Sequence, residues 1–417
     1  MEFDAGDTAW MLVATALLLF MTPGLAFFYG GMVRAKNVLG MLMQNFFAMG
    51  LVAVLWVVLG FTLAFGAFGN GGFIGNFEFF GLEDVSISTA TLGSAVETDL
   101  GLTIPLVLFA AYQMTFAVIT PALITGAMAD RMRFSAYMLF IGFWLILVYA
   151  PLAHMVFGGG WLADLGALDF AGGAVVHMNA GAAALAVALV LGRRHGWPDE
   201  AMPPHSLPLT LLGAGILWFG WFGFNAGSAL AANGVAAQAL MNTFLGASSG
   251  MLGWLVAERL KDSRATTLGA ASGAVAGLVA ITPAAGFVGG LAAIAIGAIA
   301  GAATFYAIGL KTRFGYDDSL DVVGVHLVGG LVGALLVGFF ADTAVNDAGA
   351  DGLFFGGGAG LLGDQVVASV VTLAYSFAVS FVIAKVLDVV WGIRVSEDEE
   401  TAGLDLTQHA ETAYSVL

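Results

Sequence analysis

The dominant feature of this sequence is a series of long apolar runs that could each cross a lipid bilayer as a helix. A hydrocarbon core of roughly 30 Å needs about 20 helical residues, and only 10% of the 417 residues are charged, against 59% hydrophobic. The runs are too uniformly apolar for barrel strands, whose two faces alternate. The sequence therefore predicts an all-α polytopic membrane protein. Its eleven transmembrane helices are expected over residues 9–31, 38–66, 101–127, 134–156, 173–191, 206–230, 235–257, a short Gly/Ala-rich run at 267–281, 287–310, 322–340 and 366–391.

The basic residues predict how these helices are oriented. All thirteen Lys and Arg residues lie in alternate connections or beside the end of the last run, whereas the connections 67–100 and 342–364 contain none. Because Lys and Arg are enriched in cytoplasmic connections, the N-terminus is expected outside the cell membrane and the C-terminus in the cytoplasm. No basic segment precedes the first run, so that run is interpreted as a retained helix and not as a cleaved signal peptide.

Short sequence matches indicate an internal duplication. Ile119-Thr120-Pro121-Ala122 in the third run recurs as Ile281-Thr282-Pro283-Ala284 in the eighth, and Val176-His177 in the fifth corresponds to Val325-His326 in the tenth. Repeats of five helices have opposite topology and enclose a functional site between them. We therefore expect a transmembrane domain over 1–392, with inverted five-helix repeats at about 9–191 and 206–340 followed by a final helix at about 366–391. Residues 393–417 are expected to form a cytoplasmic tail.

Two histidines, His177 and His326, lie inside these apolar runs. Polar groups in membrane helices are often packing contacts between helices, but ionisable ones commonly mark a transport pathway, and the repeat brings these two toward each other near the middle of the membrane. Counting at about 1.5 Å per helical residue leaves several ångströms between them. Neutral imidazoles among apolar side chains suit a small neutral solute such as ammonia and disfavour potassium. The residues around them suggest no enzyme, cofactor or metal site.

Several motifs together resemble those of the ammonium transporter (Amt/Mep/Rh) family, on its Amt branch. They cover nearly the whole chain and comprise Phe27 to Gly31 with Arg34 to Val38, Ala129 to Ala136, Asp169 to His177, Gly220 to Ser228, and Asp321 to His326. The resemblance implies eleven helices in two inverted repeats, one pore in each subunit and a homotrimer in the lipid bilayer.

The resemblance also assigns roles to individual residues. His177 and His326 match the twin histidines of the pore, and Phe116 and Phe224 match a stacked phenyl gate above them. Ser228, Phe116 and Asp169 match the outer site that recruits ammonium, where the family usually places a Trp and this sequence has Phe157. Phe is a weaker partner for a cation than Trp. Four further residues match pore-wall positions: Phe28, Tyr29, Trp221 and Val322.

The acidic tail has two interpretations. By composition, the segment around Glu397-Asp398-Glu399-Glu400 is a solvated acidic stretch, and His195, His205 and His409 are expected to be solvated as well. By resemblance, the tail folds under the trimer and participates in regulation by a PII-type signal protein. The net charge of −16 fits either acidic surfaces suited to high salt or a mere shortage of basic residues. No nucleic-acid partner is expected.

The function that these observations predict is ammonium transport. Ammonium is recruited at the outer vestibule, loses a proton, and crosses as ammonia through the hydrophobic twin-histidine pore, with net proton transfer. Two alternatives stay open: an ammonium sensor with little flux, and an electroneutral gas channel for ammonia or carbon dioxide.

Overall fold

The computed structural model describes residues 3–88 and 101–414, so the end of the predicted connection 67–100 and the last three tail residues lie outside the described residues. The described part is helical. Ten of its helices are long and apolar enough to cross a membrane, and an eleventh, α8, has only 15 residues. In chain order the helices are α1 Ala5–Met32, α2 Ala35–Phe65, α3 Leu106–Met128, α4 Phe134–Asp164, α5 Gly173–Leu191, α6 Leu207–Ala229, α7 Gly234–Asp262, α8 Thr267–Ile281, α9 Gly290–Phe314, α10 Val323–Phe340 and α11 Gly360–Val390.

The short helix α8 corresponds to the short eighth run of the sequence. It packs against α6, α7 and α9, and its residues from Ala271 to Ile281 are buried. A Cβ added at Gly277 would overlap the backbone of Gly246 on α7. Small residues let membrane helices approach closely, and this helix therefore lies inside the protein, where it does not have to match the full thickness of the bilayer.

Both histidine helices begin with a π-helical segment. Gly173–Met178 opens α5 and Val323–Val328 opens α10, and each continues as a regular α-helix. π-Helical turns are rare and occur often at functional sites. His177 and His326 are the fifth and fourth residues of these segments, respectively. This likeness between α5 and α10 supports the predicted repeat.

The helix ends that carry Lys and Arg meet on one side of the molecule, which we call the basic face. Arg194 forms ion pairs with Asp317 at 2.8 Å and with Asp130 at 3.3 Å, and Arg34 pairs with Asp130 at 3.0 Å. These contacts tie the connections α1–α2, α3–α4, α5–α6 and α9–α10 together. Burial lowers the pKa of Arg131 to about 10, and its guanidinium donates to backbone carbonyls and to a hydroxyl in the same cluster.

The aspartates before α10 have different environments. Asp318 accepts the backbone N–H of Val323 at 2.7 Å, so it caps this helix as expected of a carboxylate at a helix N-terminus. Asp317 instead accepts from the Arg194 guanidinium at 2.8 and 2.9 Å. This ion pair joins residues 123 positions apart, so the local sequence does not reveal it.

The tail is docked on the basic face, so the interpretation of residues 397–400 as a solvated stretch holds for Glu397 and Asp398, which are exposed, and fails for Glu400. Two short helices, α12 Glu397–Ala402 and α13 Leu404–His409, pack beneath the α1–α2 connection. Glu400 is 2% exposed because it accepts from the His195 backbone N–H and the Arg394 guanidinium, each at 2.7 Å. Asp405 accepts the Gly40 N–H at 2.8 Å. Hydrogen bonds from the distant backbone N–H groups of His195 and Gly40 hold these acidic side chains under the membrane domain.

His205 and His409 were predicted to be solvated, but both side chains contact other parts of the protein. His205 contacts the Val33 carbonyl at 2.9 Å and the Tyr414 hydroxyl at 2.8 Å. His409 packs edge-on against Phe134, with ring centroids 5.0 Å apart. Only His195 is exposed as expected. Contacts with the tail account for the difference.

Candidate functional site

Three cavities follow one another between the repeats. The first opens on the side away from the basic face and has a volume of about 210 Å³. The second contains both histidines, and the third lies between His326 and the basic face. His326 and Phe28 line both the second and the third cavity. Together the cavities trace a route through the protein that the two histidines interrupt near its middle.

The outer cavity combines aromatic rings with two polar side chains. Its lining comprises Phe109, Gln113, Phe116, Val156, Phe157, Phe170, Ser228 and Leu230. The Ser228 hydroxyl donates to the Phe224 carbonyl at 2.9 Å and lies 3.3 Å from the Tyr112 hydroxyl, so one lone pair of its oxygen stays available to a donor in the cavity. The structure thus brings three predicted recruitment residues together: Phe116, Phe157 and Ser228.

The fourth predicted recruitment residue, Asp169, lies beside this cavity and binds the backbone. Its two carboxylate oxygens accept the N–H groups of residues 172–175, at 2.9, 2.6, 2.8 and 3.2 Å. These are the unpaired donors at the start of α5. Burial raises the pKa of Asp169, while the four backbone N–H groups act to lower it. The carboxylate therefore fixes the beginning of the segment that carries His177.

Phe116 and Phe224 separate the outer cavity from the histidine cavity. Their ring centroids are 4.6 Å apart at an angle of 61°, so the rings meet edge to face and are not stacked as predicted. The quadrupoles of two aromatic rings favour this arrangement over a face-to-face sandwich. Phe224 instead stacks on His177, with an interplanar angle of 13°.

The two histidines are in contact. Nδ1 of His177 lies 3.3 Å from Nδ1 of His326, and the ring centroids are 5.3 Å apart. One Nδ1 must donate and the other accept, so the pair fixes opposite tautomers. His177 also stacks on Trp221 at 5.4 Å, and the Trp221 indole donates to the Thr282 hydroxyl at 2.9 Å. Counting along ideal α-helices left several ångströms between the two histidines. The structure brings them into contact, and both lie in π-helical segments.

The histidine cavity is narrow and otherwise apolar. Its volume is about 10 Å³, near the roughly 10–15 Å³ that a single water molecule requires. Besides the histidines it is lined by Met21, Leu25, Phe28, Ile119, Leu123, Val176, Leu217, Trp221, Phe224 and Val275. His177 is 1% exposed, and its Nε2 has no hydrogen-bond partner among the described residues. The cavity can hold one small molecule next to an unpaired imidazole nitrogen.

Two of the predicted pore-wall residues, Phe28 and Tyr29, line the inner cavity. Val322 does not line any of the three cavities. It is fully buried, and a Cβ added at Gly126 would touch both Val322 and Tyr29. The absence of a side chain at Gly126 lets Val322 pack against this helix, and its assignment to the pore wall stays a prediction.

Sequence reasoning missed several polar residues in the route or beside it. Gln113 lies one helical turn before Phe116 and lines the outer cavity. Thr282 belongs to the repeated Ile-Thr-Pro-Ala motif and accepts from Trp221. Asp321, the first residue of the motif that ends at His326, lines the inner cavity. The repeat motif and the helical spacing from Phe116 are the signals that could have identified Thr282 and Gln113.

The chain is similar to a known protein family, both in sequence and in structure. The model of the Ammonium Transporter Family matches residues 9–414. An ammonium transporter of Bacillus subtilis is 51% identical, with 98% of each chain covered. The crystal structure of Saccharomyces cerevisiae Mep2 has a TM-score of 0.86 at 36% identity, covering 96% of this chain and 89% of Mep2. A solved structure described as a sensor Amt protein has a TM-score of 0.87 at 28% identity, covering 97% and 98%.

Proposed function

This chain belongs to the ammonium transporter family, and from that premise we propose how it moves ammonium across the membrane. It is a multi-pass membrane protein that transports ammonium and is not an enzyme. Ammonium binds in the outer cavity, loses a proton near the phenyl rings, and crosses the histidine cavity as ammonia. The observation that carries the proposal is the contact between His177 and His326 inside an otherwise apolar cavity of about 10 Å³. A charged ion would lose its hydration there without charged or carbonyl groups to replace it.

Recruitment is assigned to the outer cavity. The Ser228 hydroxyl can accept one N–H of ammonium, and the faces of Phe116 and Phe157 attract a cation through their ring quadrupoles. A ring–cation contact contributes about 0.5–1 kcal/mol at exposed sites. Phe157 offers a smaller and less electron-rich face than a Trp and no indole N–H. We expect weaker recruitment than a Trp at this position would give.

Deprotonation leaves one proton for each ammonia molecule. We propose that the proton crosses as well, so that transport moves net charge. The paired histidines support this route, because an imidazole can accept a proton at one nitrogen and release one at the other. An electroneutral channel for ammonia or carbon dioxide is the alternative. It predicts flux without current.

The orientation proposed for the chain follows the basic residues, with the N-terminus and the outer cavity outside the cell and the basic face in the cytoplasm. The ion pairs among Arg34, Asp130, Arg194 and Asp317 support one common side for these connections. Uptake into the cytoplasm then runs from the wide outer cavity toward the inner one.

A homotrimer is proposed as the assembled form, each subunit holding its own pore. An open apolar groove of about 540 Å³ between α7 and α9 supports it, lined among others by Leu252, Val256, Leu260, Ile294 and Ala298. In a trimer this groove receives helices of a neighbouring copy. Native mass spectrometry of the purified protein in mild detergent should give three chains, and a monomer would contradict the assembly.

Regulation by a PII-type signal protein is proposed at the basic face, where the docked tail borders the inner end of the route. The buried Glu400 and Asp405 support a defined tail conformation that a partner can recognise. Pull-down of a PII-type protein by the full chain, weakened by Glu400→Gln, is the expected result. Equal capture by both forms would contradict a role for tail docking.

A sensor with little flux is the second candidate function. The similarity to the structure described as a sensor Amt protein favours keeping it, although identity is 28%. Two contacting histidines between an outer and an inner cavity favour transport over sensing alone. The two functions differ in the flux that the membrane domain supports.

The test is uptake of 15N-ammonium into right-side-out membrane vesicles from cells that express this chain and lack other ammonium transporters. We expect saturable uptake that His177→Ala abolishes and that His195→Ala, at the exposed histidine of the basic face, leaves intact. Uptake at the level of empty vesicles would exclude transport and favour the sensor. Equal uptake by both variants would exclude the histidine route.

A further inference from the structure

The inner cavity ends at a carboxylate. It has a volume of about 10 Å³, and its lining includes Tyr29, Ser272, Asp321 and His326. His326 also lines the histidine cavity. A molecule that leaves the histidines toward the basic face therefore meets the Asp321 side chain next.

This carboxylate already holds an ammonium group of the protein itself. The Lys311 Nζ lies 2.6 Å from the Asp321 carboxylate and donates to the Asp318 carbonyl at 3.0 Å. A lysine head group is a compact –NH₃⁺ with three donors, unlike the planar fork of an arginine. Lys311 thus presents to this site the same charge and the same donor type as free ammonium.

The position of the pair distinguishes it from the other ion pairs of the protein. Among the ion pairs of the described residues, Lys311–Asp321 is the one with a member that lines the route. The side chains of Lys311 and Asp321 are 20% and 24% exposed. The Asp321 oxygen that faces Lys311 is itself buried, but both side chains are partly exposed, so the contact can open and close without unfolding a buried network.

Asp321 also has an unusual backbone. Its φ is 64°, in the left-handed region that non-glycine residues seldom adopt. Non-glycine residues held in such conformations cluster at functional sites and ligand contacts. This conformation accompanies the approach of the carboxylate to both the inner cavity and Lys311.

We propose that Asp321 forms an inner binding site for ammonium and that Lys311 is a tethered competitor for that site. The inference rests on the proposed function, in which ammonia passes His326 and takes up one proton at the inner end to become ammonium again. Ammonium then binds the Asp321 carboxylate while Lys311 swings away. The return of Lys311 displaces it into the cytoplasm.

A tethered competitor weakens the site for free ammonium without abolishing it. A group on a short flexible tether acts at an effective concentration of the order of millimolar. The inner site therefore binds cytoplasmic ammonium less tightly than an unoccupied carboxylate would. Release to the inside stays fast, and ammonium already in the cytoplasm blocks the exit less.

The experiment measures this block. Right-side-out vesicles are loaded with increasing concentrations of unlabelled ammonium, and the initial entry of 15N-ammonium from outside is recorded. Lys311→Met keeps the length of the side chain and removes its charge. Without the competitor, we expect the internal concentration that halves entry to fall by about tenfold. Lys385→Met is the matched control, because it removes a lysine that pairs with Asp388 at 3.1 Å on the exposed end of α11.

A second variant covers the case in which Lys311→Met fails to fold. Asn tolerates the left-handed backbone of position 321, so Asp321→Asn removes the charge of the site and keeps its geometry. We expect internal ammonium to inhibit Asp321→Asn weakly or not at all. The double variant Lys311→Met with Asp321→Asn should behave as Asp321→Asn alone.

Three results would overturn the inference. The first is the same half-inhibiting concentration in Lys311→Met, Lys385→Met and the unaltered protein. The second is inhibition of Asp321→Asn as strong as that of the unaltered protein. The third is a tenfold effect that persists in the double variant. Entry by the unaltered protein is measured in the same vesicles. If that entry is absent, the proposed transport fails, which is a different outcome from failure of the inner site.

Discussion

The carboxylate of Asp169 accepts four backbone N–H groups at the start of α5, and this makes Asp169→Asn an informative substitution. The carboxamide has the same size, and its oxygen can still accept the bonds now made at 2.9 and 2.6 Å. Its NH₂ group replaces the oxygen that accepts at 2.8 and 3.2 Å. Two N–H groups then face a donor and lose their partner. A buried donor left unsatisfied costs about 1–3 kcal/mol, so the folded state loses about 2–6 kcal/mol in all.

Thermal unfolding followed by tryptophan fluorescence in detergent measures this loss. With an unfolding entropy of roughly 2 cal/mol/K per residue, a chain of this length shifts by about 1 °C per kcal/mol. We expect the midpoint of Asp169→Asn to fall by about 2–6 °C, with reduced 15N-ammonium uptake because the segment that positions His177 is loosened. Asp164→Asn, at a nearby aspartate, is the control. An unchanged midpoint would refute this reasoning, and lost uptake at an unchanged midpoint would assign Asp169 a direct role in deprotonation.

Three further predictions follow from the same contacts. Phe157→Trp should lower the half-saturating ammonium concentration for uptake by at most about 2–5-fold, because a whole ring–cation contact is worth about 0.5–1 kcal/mol and Trp strengthens a contact that Phe157 already makes. No change, or a change equal to that of Phe157→Leu, would contradict recruitment at this ring. Trp221→Phe removes the N–H donated to Thr282 and should lower the melting midpoint by about 1 °C, for a bond of about 1 kcal/mol; an additive further loss in the double variant with Thr282→Val would exclude this coupling. Burial lowers the pKa of His409, although Asp405 and Glu411 act to raise it. The docked tail therefore favours neutral His409. Its stability is greatest at a pH above the pKa of histidine in the unfolded chain, about 6.5, and decreases as the pH falls below that value. Hydrogen exchange of residues 404–409, corrected for the intrinsic rate, should therefore be faster at pH 5.5 than at pH 7.5 and independent of pH in His409→Gln.

The transmembrane helices and the two pore histidines could be predicted from the sequence because both depend on the hydropathy of short, contiguous segments. Long apolar runs leave a chain few alternatives to membrane helices, and two histidines inside such runs stand out against their surroundings. Even the short eighth helix was expected from its Gly- and Ala-rich run. Its burial could not be predicted, because that depends on contacts with α6, α7 and α9.

The geometry of the route depended on features that composition does not encode. The 3.3 Å contact between His177 and His326 is made by two π-helical segments, whereas helical counting assumed ideal α-helices. The edge-to-face arrangement of Phe116 and Phe224 depends on ring orientation. Val322 has the sequence environment of a pore-wall residue but packs against Gly126.

The tail gives the clearest case of long-range pairing. Composition predicted a solvated acidic segment, yet Glu400 is buried because Arg394 and the His195 backbone donate to it. Family resemblance was the better guide, since it implied a tail folded under the membrane domain. Lys311 and Asp321 are only ten residues apart in sequence, but only the fold shows that their contact borders the route.

The most direct test of the central claim, that ammonium is stripped of a proton and crosses the paired histidines as ammonia with separate proton transfer, is the current across a planar membrane that contains the purified protein. We predict a current when ammonium is added, none when potassium is added at the same concentration, and loss of the ammonium current in His177→Ala. A potassium current comparable to the ammonium current, or an ammonium current that survives in His177→Ala, would contradict the account.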